Sequence, residues 1–242
     1  MGCLIIESST PMADQRHPLD NPIYSALSSR QAHFAHVNGP ARRFIPEISS
    51  LAGFEEPTRD GYAALAGLVP VGQVVGIMRD DPPQEMAGWS VLHDIPLLQM
   101  VFDPEKTKTV DALKDEFIEL TDADSPEMMA LTEITKPGPF GKRTHDFGGY
   151  IGIRRDRKLA AMAGFRMRVP GFTEISAVCT HPDHIGNGYA RTLMSVLLAQ
   201  IFAAKETPFL HVRTDNTRAI QIYERMGFHT RYSGHYIVTR RV

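Results

Sequence analysis

Val178-Cys-Thr-His-Pro-Asp-His-Ile-Gly-Asn-Gly-Tyr-Ala190 is the stretch on which the reading of the fold turns. A β-rich run ends at Thr180, a loop holding Pro182 follows, and Gly186 and Gly188 open an apolar helical pattern. Strand, glycine turn and helix start, in that order, present backbone N–H groups without intrahelical partners and the positive end of a helix dipole. Such a turn suits phosphate. Glycines let the backbone approach a ligand closely and adopt φ > 0. The amides of Gly186 to Ala190 are therefore expected to converge on a pyrophosphate. The rival reading is a tight strand–helix turn with no ligand. The turn is not a Rossmann fingerprint, because Gly-x-Gly-x-x-Gly is absent, nor a P-loop, because no Gly-Lys-Ser/Thr follows.

Downstream, residues 188–204 carry Ala190, Leu193, Leu197 and Ile201 at helical spacing. Phe209–Arg213 reads as a strand, Thr217–Met226 as a short helix closed by Gly227, and Tyr232–Thr239 as a last strand. Upstream, Phe172–Thr180 follows a Pro170-Gly171 turn, and Gly149–Arg154 with Lys158–Arg168 read as a hairpin. A helix over Ser125–Thr135 is capped by Asp122 to Asp124 and preceded by a strand at Glu116–Leu120. The order predicts an α/β fold with a mixed sheet, antiparallel through its middle.

The first half is less regular. Residues 1–20 read as a flexible tail and 21–110 as an N-terminal α/β lobe. In that lobe Ile23–Ala35 and Thr58–Leu68 are expected helices, and Val69–Met78, Met86–His93 and Ile95–Phe102 short strands. The charged stretch Asp103-Pro-Glu-Lys-Thr-Lys-Thr-Val-Asp111 is taken as the boundary, which leaves 111–242 as the second domain. A net charge of -2 gives nucleic acid no electrostatic footing, and no apolar run reaches the roughly 18–20 residues that span a bilayer. Two cysteines, Cys3 and Cys179, suit a reducing cytoplasm rather than a disulfide scaffold. No His/Cys/Asp spacing suggests a metal site.

Taken together, 178–190 resembles motif A of the GNAT superfamily of N-acetyltransferases, in the branch with a Thr-His-Pro loop. Its Gln/Arg-x-x-Gly-x-Gly/Ala pattern falls on Ile185-Gly-Asn-Gly188-Tyr-Ala190, with Ile185 in place of the usual Gln or Arg. Asn216-x-x-Ala219-x-x-x-Tyr223-x-x-x-Gly227-Phe228 resembles motif B of the same family without a gap. The likeness runs from about residue 116 to 242. It implies a GNAT fold carrying an additional N-terminal lobe, which is itself a candidate degenerate GNAT-like unit, and an acetyltransferase using acetyl-CoA and no metal.

The resemblance also implies the site. Val178, Cys179 and Thr180 would lie along the pantetheine arm, and Ile185, Gly186, Asn187, Gly188, Tyr189, Ala190 and Arg191 would surround the pyrophosphate. Asn216 and Ala219 would meet the coenzyme from the last helix, where Asn216 also serves as a cap. Tyr223 matches the family's general acid for the leaving thiolate; the rival reading is a packed aromatic. Glu174, four residues before Val178 and on its face by alternation, is the candidate general base, against a plain strand carboxylate. His145, His181 and His184 lie in loops and are weaker candidates. Phe140, Arg143 and His145 in the loop 136–146 are expected to line an acceptor pocket. The acceptor is read as a small-molecule or amino-acid-like amine attacked directly in a ternary complex. A longer acyl-CoA donor and a non-catalytic coenzyme-binding lobe both stay open, as does a homodimer. No membrane or nucleic-acid partner is expected.

Overall fold

A computed structural model of the chain describes residues 17–106 and 116–242. Most of the expected tail, with Cys3, and residues 107–111 of the expected boundary lie outside them.

The N-terminal part begins with α1 (Pro22–Leu27), which ends sooner than its sequence suggests. Pro22, Ile23, Ala26 and Leu27 face the core, and past them the Ser29 hydroxyl donates to the Ser25 carbonyl. Three short strands follow, β1 (Ala35–Asn38), β2 (Ala41–Phe44) and β3 (Ala52–Phe54), forming a small antiparallel sheet absent from the sequence reading. The helix α2 (Arg59–Ala66) starts at Thr58, whose hydroxyl accepts from the Gly61 N–H at 3.2 Å. Next come β4 (Val74–Arg79) and β5 (Trp89–Phe102). The two strands expected either side of Asp94 are thus one strand of 14 residues.

The rest of the chain follows the predicted order: β6 (Ile118–Glu119), α3 (Ser125–Thr135), β7 (Ile151–Arg155), β8 (Lys158–Val169), β9 (Phe172–Thr180), α4 (Tyr189–Ala203), β10 (Thr207–Arg213), α5 (Thr217–Arg225) and β11 (Phe228–Arg241). Arg154 on β7 ties down the start of α3 by reaching Asp124 at 2.6 Å and Glu127 at 2.8 Å. On α4, Leu193 and Leu197 are wholly buried against the sheet, while Ala190 faces a cleft instead of completing the apolar stripe.

Among the described residues the sheet has eight strands in the order β4-β11-β5-β10-β9-β8-β7-β6. Of the pairs they form, only β9 and β10 run parallel. From residues 21–110 comes β5, yet it lies between β10 and β11 and pairs with β11 along nearly its whole length. A boundary near residue 110 therefore crosses one sheet instead of separating two lobes. Pro96 is tolerated inside β5 because it faces the β10 side just past Arg213↔Leu97, where that ladder ends and no N–H is called for.

Two features of this sheet position the site. The β9–β10 ladder holds only from Thr207↔Phe172 to Phe209↔Glu174, and past that pair the strands part. On its other side β9 bulges: Ser176 and Cys179 oppose Gly164 and Met162, so three steps on β9 meet two on β8. Ala177 carries the bulge at φ 52°.

Candidate active site

The bulge resets which side chains share a face. Ile175 and Val178 both pack on the α4 side, while Ala177 and Cys179 pack with Met128, Leu131 and Tyr150 on the α3 side. Strict alternation would have put Glu174 beside Val178, but Glu174 lies on the face opposite it, with Arg166 and His211. Glu174 is fully buried. Its Oε2 accepts from Arg166 Nε at 2.8 Å and from the Met167 amide at 3.3 Å. Its Oε1 accepts from Arg166 Nη2 at 2.5 Å and meets His211 Nδ1 at 2.7 Å. Burial alone would raise this carboxyl, but the Arg166 charge, followed by His211, holds it at about 2. A carboxylate so paired takes no proton near neutral pH, which corrects the expectation of Glu174 as the base.

On the α4 side, where β9 and β10 separate, lies a cleft of about 540 Å³. Val178 and Thr180 of β9 line one wall, Ile185, Gly186, Gly188, Tyr189, Ala190 and Arg191 the turn, and Asn216 and Ala219 the far side. Ten of the expected coenzyme contacts thus converge. Gly186 and Gly188 adopt φ 97° and 83°, and a Cβ at either would meet nothing, so backbone conformation and not crowding calls for glycine there. Gly188 is the N-cap of α4 and has no side chain to offer the first-turn amides. Gly188, Tyr189 and Ala190 line this cleft together with Arg218 and Arg225, two cations that the motif comparison did not single out. Ile185 is exposed at this mouth. The cleft's size, its cations and its free helix start fit a phosphate-bearing ligand.

Three expected contacts sit elsewhere. Cys179 is buried on the α3 side, and burial raises its thiol to about 11. Asn187 donates its Nδ2 to the His184 carbonyl and shapes the turn. Tyr223 does not line the cleft wall, where α5 presents Ala219 and Ile222 and its C-cap Met226 follows. Its half-buried ring packs 6.1 Å from Phe228, and burial, then the charge of a Cys179 thiolate, raises its phenol to about 12. Asn216 caps α5, its Oδ1 accepting from the Ala219 N–H at 3.2 Å.

In the loop 136–146, Phe140 borders a hollow of about 10 Å³ with Tyr150, Arg166, Ser176 and Ala177. Burial raises the Tyr150 phenol far above its usual range. Arg143 and His145 do not face that hollow. Arg143 pairs with Asp146 at 2.5 Å, and His145 Nε2 lies 2.6 Å from Asp122 Oδ1. Asp122, His145 and Asp146 thereby come together in space although their sequence spacing gave no metal signal. Arg166 and His211 escaped the sequence reading as well. A signal existed in Leu210-His211-Val212, a polar residue between apolar ones on a strand, but its partner on β9 was not legible.

A protein from Novosphingobium aromaticivorans assigned to the GNAT family of acetyltransferases superposes on the chain with a TM-score of 0.85. It is 34% identical in sequence, over 93% of this chain and 99% of that one. This chain belongs to the GNAT family. The family description FR47-like protein matches residues 150–237. N-alpha-acetyltransferase RimI of Mycobacterium tuberculosis is 35% identical over 82 residues, which are 33% of this chain and 51% of that protein. Mycothiol acetyltransferase of Streptomyces griseus is 30% identical over 110 residues, 45% of this chain and 36% of that protein. The chain thus spans about half or less of the curated relatives it matches. GNAT membership accounts for the mixed sheet and for the parting of its two parallel strands. Among the described residues no helix is long and apolar enough to cross a membrane.

Proposed function

We propose that this GNAT enzyme transfers an acetyl group from acetyl-CoA directly to a primary amine of a small or amino-acid-like acceptor, with both bound at once. The observation that carries the reading is the single cleft joining the Gly186–Arg191 turn to the opening between β9 and β10. The turn amides with Arg218 and Arg225 would hold the phosphates. Backbone groups of Val178 and Thr180 would run beside the pantetheine arm, and the coenzyme would supply an activated acetyl thioester. An N–H of β9 beyond the bulge would stabilise the oxyanion. Tyr223 would donate toward the departing sulfur.

Direct transfer is favoured over an acyl-cysteine route because Cys179 is buried and keeps its proton at neutral pH. The N-alpha activity in the name of the M. tuberculosis relative supports an amine as acceptor. Titration calorimetry with acetyl-CoA, followed by thiol release over a panel of amines, tests the proposal. Binding in the micromolar range and amine-dependent thiol release are expected. Binding without release for every amine would instead assign a coenzyme-sensing role, and no binding would remove the donor.

A further inference from the structure

On the face of the sheet opposite the coenzyme cleft, one row of residues crosses from β7 to β9. Ile151 pairs with Ala163, which sets Tyr150 beside Gly164, and Gly164 pairs in turn with Ser176. A Cβ on Gly164 would come within 2.6 Å of the Tyr150 ring, so glycine is what lets that ring lie across β8. The hydroxyl is thereby carried toward β9 and the hollow that Tyr150 shares with Phe140, Arg166, Ser176 and Ala177. Tyr150 is 3% exposed, yet its hydroxyl has no hydrogen-bond partner among the described residues. A buried hydroxyl left unbonded costs about 1–3 kcal/mol. Such a cost calls for a ligand that supplies the missing bond.

The rest of the wall offers donors. Among the described residues Arg166 gives Nε and Nη2 to Glu174 and Nη1 to none, and the Ser176 hydroxyl has no partner either. Thr144 is spent, since its Oγ1 donates to the Ile48 carbonyl and accepts from the Gly141 amide. No aspartate or glutamate among the described residues lines the hollow. The Arg166 charge is already offset by Glu174, which is also held by His211, itself 3.3 Å from Gln99. A second carboxylate here would face the Glu174 anion without a cation of its own. What complements these donors is an uncharged oxygen, and a hollow of about 10 Å³ has room for one. The hollow and the coenzyme cleft share one stretch of β9. Past Phe209↔Glu174 that strand no longer pairs with β10, and the unpaired stretch gives Ser176 and Ala177 to the hollow and Val178 and Thr180 to the cleft. A group at the parting therefore has the cleft on one side and the hollow on the other.

We propose that this hollow recognises the acceptor and takes the uncharged carbonyl oxygen of an α-amino amide, such as a peptide N-terminus, with the Tyr150 hydroxyl as its main donor. The proposal rests on the reading of the site as an amine acetyltransferase. In an α-amino amide the amine is only a few bonds from the carbonyl oxygen, so an oxygen seated on Tyr150 keeps the amine beside Ala177 at the parting. A simple alkylamine has no oxygen to offer the phenol. A free amino acid brings a second anion beside Glu174. Phe140 acts as a positioning residue: it packs edge-on against Tyr150, with 5.7 Å between ring centres, and fixes the direction of the hydroxyl.

Alaninamide, alanine and isopropylamine differ at the group in question, and thiol release compares them at equal concentrations of unprotonated amine. The parent is expected to use alaninamide at least about ten-fold better in kcat/KM than either of the others. Tyr150→Phe should lower kcat/KM for alaninamide about ten-fold more than for isopropylamine, with acetyl-CoA affinity by calorimetry as in the parent. Its melting midpoint should match or exceed the parent's, because the lost hydroxyl has no partner in the fold. Equal use of the amines by the parent, an equal loss for alaninamide and isopropylamine in Tyr150→Phe, or a clearly lower midpoint overturns the proposal. If the variant does not fold, the parent's selectivity decides. Thiol release absent with every amine would sink the acetyltransferase reading itself. Saturation-transfer NMR of alaninamide on protein loaded with coenzyme A then tests the subsite separately: a signal that Tyr150→Phe abolishes supports it, and no signal in the parent overturns it.

Discussion

A phenol at about 12 keeps its proton at neutral pH, but surrenders it reluctantly. A free thiol has a pKa near 8.5, so complete transfer from Tyr223 to a thiolate is uphill by about three to four units. On the proposed reading Tyr223 assists by hydrogen bonding to sulfur as charge develops, and solvent completes the protonation. Tyr223→Phe should lower kcat about ten- to a hundred-fold with acetyl-CoA affinity unchanged by calorimetry; parental turnover would remove Tyr223 from the reaction. Ile185 presents the opposite case, an apolar side chain exposed where the cleft is cationic. Ile185→Arg adds a solvent-screened charge worth about 0.5–1 kcal/mol, or two- to five-fold tighter coenzyme binding. Calorimetry at low and at high salt should show that gain shrinking as salt rises.

At the scale of elements, strands β7 to β10 were legible because hairpin turns and β-branched runs are local signals. The first helix was read too long, since its polar continuation had helical spacing but nothing to pack on. Glu174 was expected on the face of Val178 as the base, and lies on the other face because alternation along β9 holds only until the bulge at Ala177. The structure makes it the anion that binds β8, β9 and β10 together. Its folded pKa of about 2 lies below the ordinary 4.5. The stability it contributes, about 3 kcal/mol, is therefore fully present above about pH 4.5 and is lost as pH falls through about 2. Thermal midpoints measured from pH 5 to 2 should fall more steeply for the parent than for Glu174→Gln, which has no proton to take up there. Parallel curves would mean that the carboxylate is not held as described.

For the whole molecule, the decisive fact is that β5 enters the sheet between β10 and β11. The two motifs of the family lie entirely in the second half of the chain, so a fragment of residues 111–242 holds every motif residue yet lacks the strand that joins its last two. Expressed alone, that fragment should fail to give a cooperative thermal transition, while the full chain does; a two-state melt for the fragment would show that β10 and β11 can close on each other. The family resemblance was read from residues that touch phosphate and coenzyme. It could say nothing of a strand whose sequence carries no motif.

Local chemistry, then, was within the reach of the sequence alone. Glycines at φ > 0, a helix start without a capping side chain, the Asn216 cap and the small Ala219 are each set by neighbours within a few residues, and they were read where they lie. Tertiary structure decided whatever depends on partners far along the chain. Gln99, Glu174 and His211 are separated by 75 and 37 residues. Only strand pairing places them in line, and neither register nor face survives in a one-dimensional pattern once a single residue is inserted, as at Ala177.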